Sequence, residues 1–224
     1  MKKGRVRRTL SSCDLDLSPE PRELYDKLMS AKGWNYQNAM DRYLARDRAL
    51  VSILYVGQLR VSEAIPLKKN QFKRLKDHVQ LSSILLAKRK PGKLVYRSAR
   101  LPLRGERAKF TKLILDYLDL LEPDERLFPF SLTKRTYYVK GRTYKTREGS
   151  KPIRSVVMMG TKRAWQIVNA LLPEYTEHWL RMFGEDYLYT NRDHDILAVA
   201  DEVKVDARTL QGYLRKQHLK YPAA

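Results

Sequence analysis

The stretch Arg46–Leu67, RDRALVSILYVGQLRVSEAIPL, decides how the whole chain is read. After Arg48 it is almost uniformly apolar as far as Val56, and a helix that is apolar on every side belongs in the centre of a domain. Gly57 interrupts it, and GQLRVSEAIPL reads as a turn into a short helix with Arg60 at the junction. Taken alone, Arg60 is most simply a salt-bridge partner of Glu63, three residues further on.

Working outward from this centre, residues 1–20 form a basic arm that ends at the proline-containing turn SPEP. Residues 21–31 and 37–56 read as helices. On the other side, residues 78–103 change period: HVQLSSILLAKRK and KLVYRSARLPL are rich in β-branched residues and read as strands joined at Pro91-Gly92. In RAKFTKLILDYLDLL, Phe110, Leu113, Ile114, Tyr117, Leu118 and Leu121 recur at helical spacing and predict an amphipathic helix. The C-terminal third is helical. Trp165, Val168, Leu171 and Leu172 mark one face, HWLRMF lies on the next helix, and DILAVADEV and ARTLQGYLRKQ complete the set. The expected class is mainly α with a small antiparallel β-sheet, an α+β fold.

Residues 131–155 stand apart. They carry Lys134, Arg135, Lys140, Arg142, Lys145, Arg147, Lys151 and Arg154 against a single acid, Glu148. Tyr137, Tyr138 and Tyr144 are interleaved, and Gly141 suits a hairpin turn. Basic side chains bind phosphates and tyrosines pack on sugars and bases, so Lys134, Arg135, Lys140, Arg142, Lys145 and Arg147 are candidate DNA contacts, a solvated loop being the plainer alternative.

Composition narrows the partner. With 45 Lys+Arg against 25 Asp+Glu, the 224-residue chain has a formal charge of +20 and attracts polyanions, double-stranded DNA first among them. No segment approaches the ~18 consecutive apolar residues of a spanning helix, so no membrane is expected. The basic N-terminus has no apolar stretch behind it, which excludes a secretory signal. Cys13 is the only cysteine, which rules out an internal disulfide and fits a reducing, intracellular setting. The four histidines have no metal-ligand spacing, so neither a metal nor a cofactor is expected.

Late in the chain, HWLR places His178 and Arg181 three residues apart, on one side of a helix. Two cations so placed repel unless an anion lies between them. With Arg60, Lys90 at the hairpin turn, Lys204 and Tyr213, they make a set with chemical logic. Breaking a phosphodiester without a metal needs a nucleophile, cations on the non-bridging oxygens, a proton donor for the leaving 5′-oxygen and an acceptor for the nucleophile's proton. Arginine binds phosphate through a planar fork that stays charged. Histidine exchanges protons near neutrality, and tyrosine needs cations nearby to attack there.

In order and wording the set resembles the catalytic domain of the tyrosine recombinases, the phage-type integrases and their relatives, which share a fold and active site with type IB topoisomerases. GQLRVSEAIPL is similar to the family's T-G-L-R-x-S-E-A-L-x-L at Leu59, Arg60, Ser62, Glu63, Ala64 and Leu67. KPGK followed by LPL resembles the family's hairpin lysine motif and selects Lys90, and H-x-L-R is met by His178, Leu180 and Arg181. Lys204 lies 26 residues after His178 and nine before Tyr213, the usual places of the last basic residue and the nucleophile. The resemblance implies a recombinase or integrase, a DNA strand transferase that cleaves and rejoins through a 3′-phosphotyrosyl intermediate without metal or ATP. It implies Tyr213 as nucleophile, Arg60 and Arg181 with Lys204 on the phosphate, Lys90 as acid and His178 as proton carrier.

The chain also departs from the family pattern. Gln58 stands where glycine is preferred, Lys204 where histidine or tryptophan is usual, and Met182 where a second histidine is common. Residues 131–155 read as an insertion in a catalytic domain spanning 21–224. The residues ahead of Arg60 leave no room for the family's N-terminal DNA-clamping domain, and eleven residues follow Tyr213. The resemblance further implies a homo-oligomer, a tetramer on DNA, acting in the cytoplasm or nucleoid. A topoisomerase-like or telomere-resolving enzyme, or a DNA-binding protein of this fold without catalysis, are the alternatives.

Overall fold

Helix α2, Met40–Val56, is the axis on which the rest is assembled. From Ala49 to Val56 every residue is buried, Ser52 included. Such a helix needs partners all round, and it has them: α3 (Val61–Ala64), α4 (Ala108–Leu118), α5 (Thr161–Leu171) and α6 (Glu177–Thr190) pack against it. The computed structural model describes residues 19–33, 40–86, 94–134, 136–139, 142–145, 153–191, 193 and 195–218, with the backbone alone at 40, 41, 130–134, 136–139, 142–145, 153–157, 213 and 215–218. The basic arm therefore lies outside the described residues, save its end at Pro19 and Glu20.

The predicted first helix is α1, Pro21–Ser30, opened by Pro21, whose fixed φ suits a first helical position. It joins the core through a chain of edge-on aromatic contacts, Tyr25 to Phe110 at 5.5 Å and Phe110 to Tyr55 at 4.8 Å between ring centroids. The amphipathic face predicted for α4 is the buried one: Phe110, Ile114, Tyr117 and Leu118 all lie in the core, and Leu113 packs at its margin. On α5 the expected face is corrected. Val168, Leu171 and Leu172 are buried as expected, but Trp165 is 47% exposed, and Ala164 and Ile167 join Val168 and Leu171 on the buried stripe in its place. These four recur at i, i+3, i+4 and i+7, which leaves Trp165 off the stripe.

The sheet is antiparallel in the order β1-β2-β3, formed by Phe72–Arg74, His78–Leu85 and Tyr96–Pro102. The two long strands are those the sequence predicts, and β1 with the 3₁₀ turn Lys69–Gln71 before it is additional. The β2–β3 register shifts between Leu81 and Ile84, where Ser83 has φ +57°. The side-chain amide of Gln71 donates to the carbonyls of Ser82 and Ser83, both at 3.0 Å, and so satisfies acceptors that the bulge releases from the ladder.

Residues 131–155 fall within two nested antiparallel pairs, β4 (Pro129–Lys134) with β7 (Ile153–Met158) and β5 (Thr136–Val139) with β6 (Arg142–Lys145). The inner pair brackets 140 and 141, as a hairpin at Gly141 requires, although Gly141 itself lies outside the described residues. Lys134, Arg142 and Lys145 are on these strands; Arg135, Lys140 and Arg147 lie outside the described residues.

Two further helices end the fold, α7 (Ile196–Val203) and α8 (Ala207–His218). Each begins at an aspartate whose carboxylate accepts from the first-turn N–H groups, Asp195 from Leu197 and Ala198, and Asp206 from Arg208 and Thr209. They share a small apolar cluster of their own, Val199, Ala200, Val203, Leu210 and Leu214, packed beside Leu188 and Tyr189 of α6. Among the described residues no helix is long and apolar enough to cross a membrane.

Candidate active site

The C-terminus of α2 leaves its last carbonyls without helical partners, and the chain must turn there at once. Gln58 makes the turn with φ +48°, in the left-handed region where glycine is usual. Its own side-chain amide answers for part of the cost by donating back to the carbonyls of Tyr55 (3.2 Å) and Val56 (2.6 Å). Arg107 donates to the same two carbonyls at 3.2 Å each, and its guanidinium lies over the rings of Tyr55 and Tyr187. The turn that presents Arg60 is thus held without a glycine at position 58.

Arg60 sits at the N-terminal boundary of α3. The buried carboxylate of Glu63 accepts from the Arg60 backbone N–H at 3.0 Å and from its guanidinium at 3.1 Å. The salt bridge that the spacing suggests is therefore present, and it leaves the Arg60 side chain 27% exposed. Beneath it lies an arginine that the sequence reading passed over. Arg97 on β3 has a side chain 1% exposed, reaches at 3.5 Å the Glu63 oxygen that accepts from the Arg60 backbone N–H, and donates to the carbonyls of Gln58 (2.8 Å) and Gly57 (3.3 Å). Burial draws its pKa down, Glu63 opposes this, and the like charge of Arg181 adds to the lowering.

Arg181 arrives from α6. That helix starts at Thr176, whose hydroxyl accepts from the Trp179 N–H, and it crosses α2 at Gly184. A Cβ on Gly184 would lie 2.1 Å from the Tyr55 carbonyl oxygen, so only glycine permits this approach. His178 and Arg181 share a side of α6 but not its burial: His178, in the first turn, is exposed, and Arg181 is buried in the middle. The Nε of Arg181 donates to Glu185, one helical turn on, at 2.6 Å. Its Nη1 is buried with no hydrogen-bond partner among the described residues, as are Nε of Arg97 and Oε2 of Glu185. Burial pushes the Glu185 carboxyl above the ordinary carboxylate range, against the pull of Arg181, Arg97 and Arg60.

Arg60, Arg97 and Arg181 with Glu63 and Glu185 therefore form one electrostatic cluster. With both carboxylates ionised it holds three guanidiniums to two carboxylates, and protonation of Glu185 widens the excess. An excess of positive charge that is largely buried and has an unpartnered N–H can accept one anion.

Arg97 also lines a groove of about 930 Å³ between β2–β3 and α7, with Gln80, Ser82, Arg100 and Lys204 among its walls. Lys204 closes α7 in the left-handed conformation, φ +53°, with its ammonium paired to Asp201. Tyr213 is on α8, which packs against α6 and α7, and its side chain lies outside the described residues. Lys90 also lies outside them, between β2 and β3. Of the six sequence-derived candidates, Arg60 and Arg181 are thus brought together, Lys204 borders the groove that Arg97 lines, and His178 lies on the outer turn of the Arg181 helix. No cluster of His, Cys, Asp or Glu that could hold a metal occurs among the described residues.

Arg97 and Glu185 are the residues that sequence reading missed. The signals were local. Arg97 falls on the same strand face as Ala99 and Leu101, where a cation is out of place, and Glu185 stands four residues from Arg181, after Met182, Phe183 and Gly184.

No sequence-family profile matches the chain, and no curated protein does. Solved structures do. The post-cleavage complex of the XerH site-specific recombinase with palindromic difH substrate superposes with a TM-score of 0.50 and 20% identity, over 87% of this chain and 47% of that one. The pre-cleavage complex of XerH with difH gives 0.50 and 19%, over 87% and 48%. The Tn1549 transposon integrase, in complex with a circular intermediate DNA, gives 0.43 and 14%, over 88% and 61%. The chain thus spans about half the length of the XerH recombinase that it matches.

Proposed function

From the premise that the chain has the tyrosine recombinase catalytic-domain fold, we propose that it is a site-specific DNA recombinase or integrase. The observation that carries this reading is the meeting of Arg60 and Arg181 in one buried cluster with positive charge in excess and an unpartnered Arg181 N–H. A phosphodiester carries the single negative charge that such a cluster lacks.

In the proposed reaction the phenol oxygen of Tyr213 attacks the scissile phosphorus. A 3′-phosphotyrosyl bond forms as the bond to the 5′-oxygen breaks. Arg60 and Arg181 hold the non-bridging oxygens through the transition state, and Lys204 assists. His178 takes the phenol proton, its exposed place at the helix start suiting exchange with solvent. Lys90 gives a proton to the leaving 5′-oxygen. Rejoining is the reverse, with a 5′-hydroxyl as nucleophile and Tyr213 as leaving group. The phosphotyrosyl bond conserves the energy of the phosphodiester, so neither ATP nor a metal enters. Lys134, Arg135, Lys140, Arg142, Lys145 and Arg147 bind the flanking duplex by its phosphates. Exchange between two sites takes four protomers on DNA inside the cell.

One observation favours a weaker reading, a DNA-binding protein without cleavage: Asp201 and Glu202 place carboxylates in the groove and Asp201 already claims Lys204. A nicked suicide duplex separates the two. Wild type is expected to form an SDS-resistant protein–DNA adduct and Tyr213→Phe none. Binding without an adduct on supercoiled, cruciform or cognate DNA would leave only the binding protein. Relaxation of supercoils by a monomer, at no particular site, would make the enzyme topoisomerase-like.

A further inference from the structure

We propose that Arg97 is a positioning residue of this active site, a third arginine that sets the place and the free charge of Arg60. The inference rests on the recombinase reading above and adds to it a residue outside the motif set.

Two sets of contacts carry it, and one electrostatic influence agrees with them. Arg97 donates to the carbonyls of Gly57 and Gln58, so β3 is fastened to the turn from which Arg60 projects. It also takes one oxygen of Glu63, while the Arg60 guanidinium binds the other. A carboxylate facing Arg60 alone would neutralise it; divided between two guanidiniums, Glu63 orients Arg60 and leaves part of its charge for a ligand. Finally, the charge of Arg181 acts on Arg97, so Arg97 is coupled to both arginines proposed to hold the phosphate.

Arg97 is itself too deeply engaged to be the principal ligand of a phosphate. Its side chain is 1% exposed and its Nη2 serves two carbonyls and a carboxylate. Lysine at this site would keep the charge beside Glu63 but carries it on a compact, more strongly hydrated ammonium in place of a flat guanidinium, so it is the milder change.

Single-turnover cleavage of the suicide duplex tests the proposal on the full chain. Arg97→Gln is expected to keep its DNA affinity and to cleave about 100-fold more slowly, the scale of a small displacement of a transition-state contact. The same duplex with a methylphosphonate at the scissile position has lost the charge that Arg60 and Arg181 neutralise. On it the ratio of wild-type to variant rates is expected to collapse toward one. Arg97→Lys, the milder change should Arg97→Gln fail to fold, is expected to lose less on the phosphate and to recover in the same way. An Arg97 variant as fast as wild type on the phosphate overturns the proposal and leaves the recombinase reading standing. Equal slowing on both substrates overturns it too, because it marks a merely structural role. No adduct from wild type on either duplex removes the recombinase reading, and this proposal with it.

Discussion

The two hydrophobic clusters of the molecule carry different halves of the proposed chemistry. The larger one spans α1 to α6 and the three-stranded sheet, and it holds Arg60, Arg97 and Arg181 with their buried carboxylates. The smaller one, Val199, Ala200, Val203, Leu210 and Leu214, supports Lys204 and the helix bearing Tyr213. Charge stabilisation depends on exact placement, and it is built where every neighbour is fixed by dense packing. The proposed nucleophile is carried on a helix pair with a small core of its own, whose local opening is expected to cost less than global unfolding. On the proposed function, the fold thus sets the arginine cluster in the larger core and the attacking group on the smaller one.

The sharpest way to break this contrast is at Glu63. Glu63→Ala removes the shared partner of Arg60 and of Arg97, leaving a fully buried guanidinium without its carboxylate. Breaking a buried ion pair from one side costs about 3–5 kcal/mol. Urea unfolding is expected to show that loss in the main transition, together with loss of cleavage. A variant as stable as wild type would mean that the cluster is not the structural anchor described above.

Leu210→Ala attacks the other half. Leu210 is fully buried in the small cluster, and truncating such a leucine costs about 2–5 kcal/mol. The expected loss is confined: amide exchange speeds up in α7 and α8 while the amides of α2 keep their protection. Equal loss of protection in both regions would show one cooperative unit in place of two.

How much of this was legible in the sequence differs between the same two regions. The buried helix, the turn and the Arg60–Glu63 pair could be read because composition and an i, i+3 spacing are local signals. The order and type of the helices and the β2–β3 pair followed from their periods. Arg97 was obscured because one cation in a short strand does not disturb its β character, and its alternation with Ala99 and Leu101 is a faint signal until pairing makes that face the buried one. Glu185 was obscured because an i, i+4 arginine–glutamate pair looks the same in solvent as in a core. Strand β1 is three residues long, too short for any period. The strands within 131–155 have a basic, polar sequence, in which pairing rather than apolar alternation defines them.

Glu185 offers a subtler distinction. Burial raises its folded pKa above the ordinary value of 4.5. A group so raised contributes stability below its unfolded pKa and loses that contribution as pH rises through the folded one. Stability of the wild type should therefore carry a decline that begins above pH 4.5 and that Glu185→Gln, neutral throughout, lacks. Urea midpoints for the two proteins at a series of pH values are expected to diverge in favour of Gln as pH rises. Parallel curves would show that Arg181 compensates fully for the burial of this carboxylate.

The smallest effect is expected at Gln58, and its size follows from two opposed contributions. In the left-handed region a non-glycine residue costs roughly 1–2 kcal/mol, which Gln58→Gly relieves. The same change deletes the amide bonds to the carbonyls of Tyr55 and Val56, each worth about 0.5–1.5 kcal/mol net. Arg107 still donates to both carbonyls, so neither is left bare. The two contributions nearly cancel, and Gln58→Gly should change stability by less than about 1 kcal/mol in urea unfolding. Gln58→Ala loses the bonds and keeps the strained φ, so it should be the less stable of the two by about 1 kcal/mol. Alanine equal to glycine would show that the strain at this turn is negligible, and that the amide capping of α2 alone decides what position 58, two residues before Arg60, will accept.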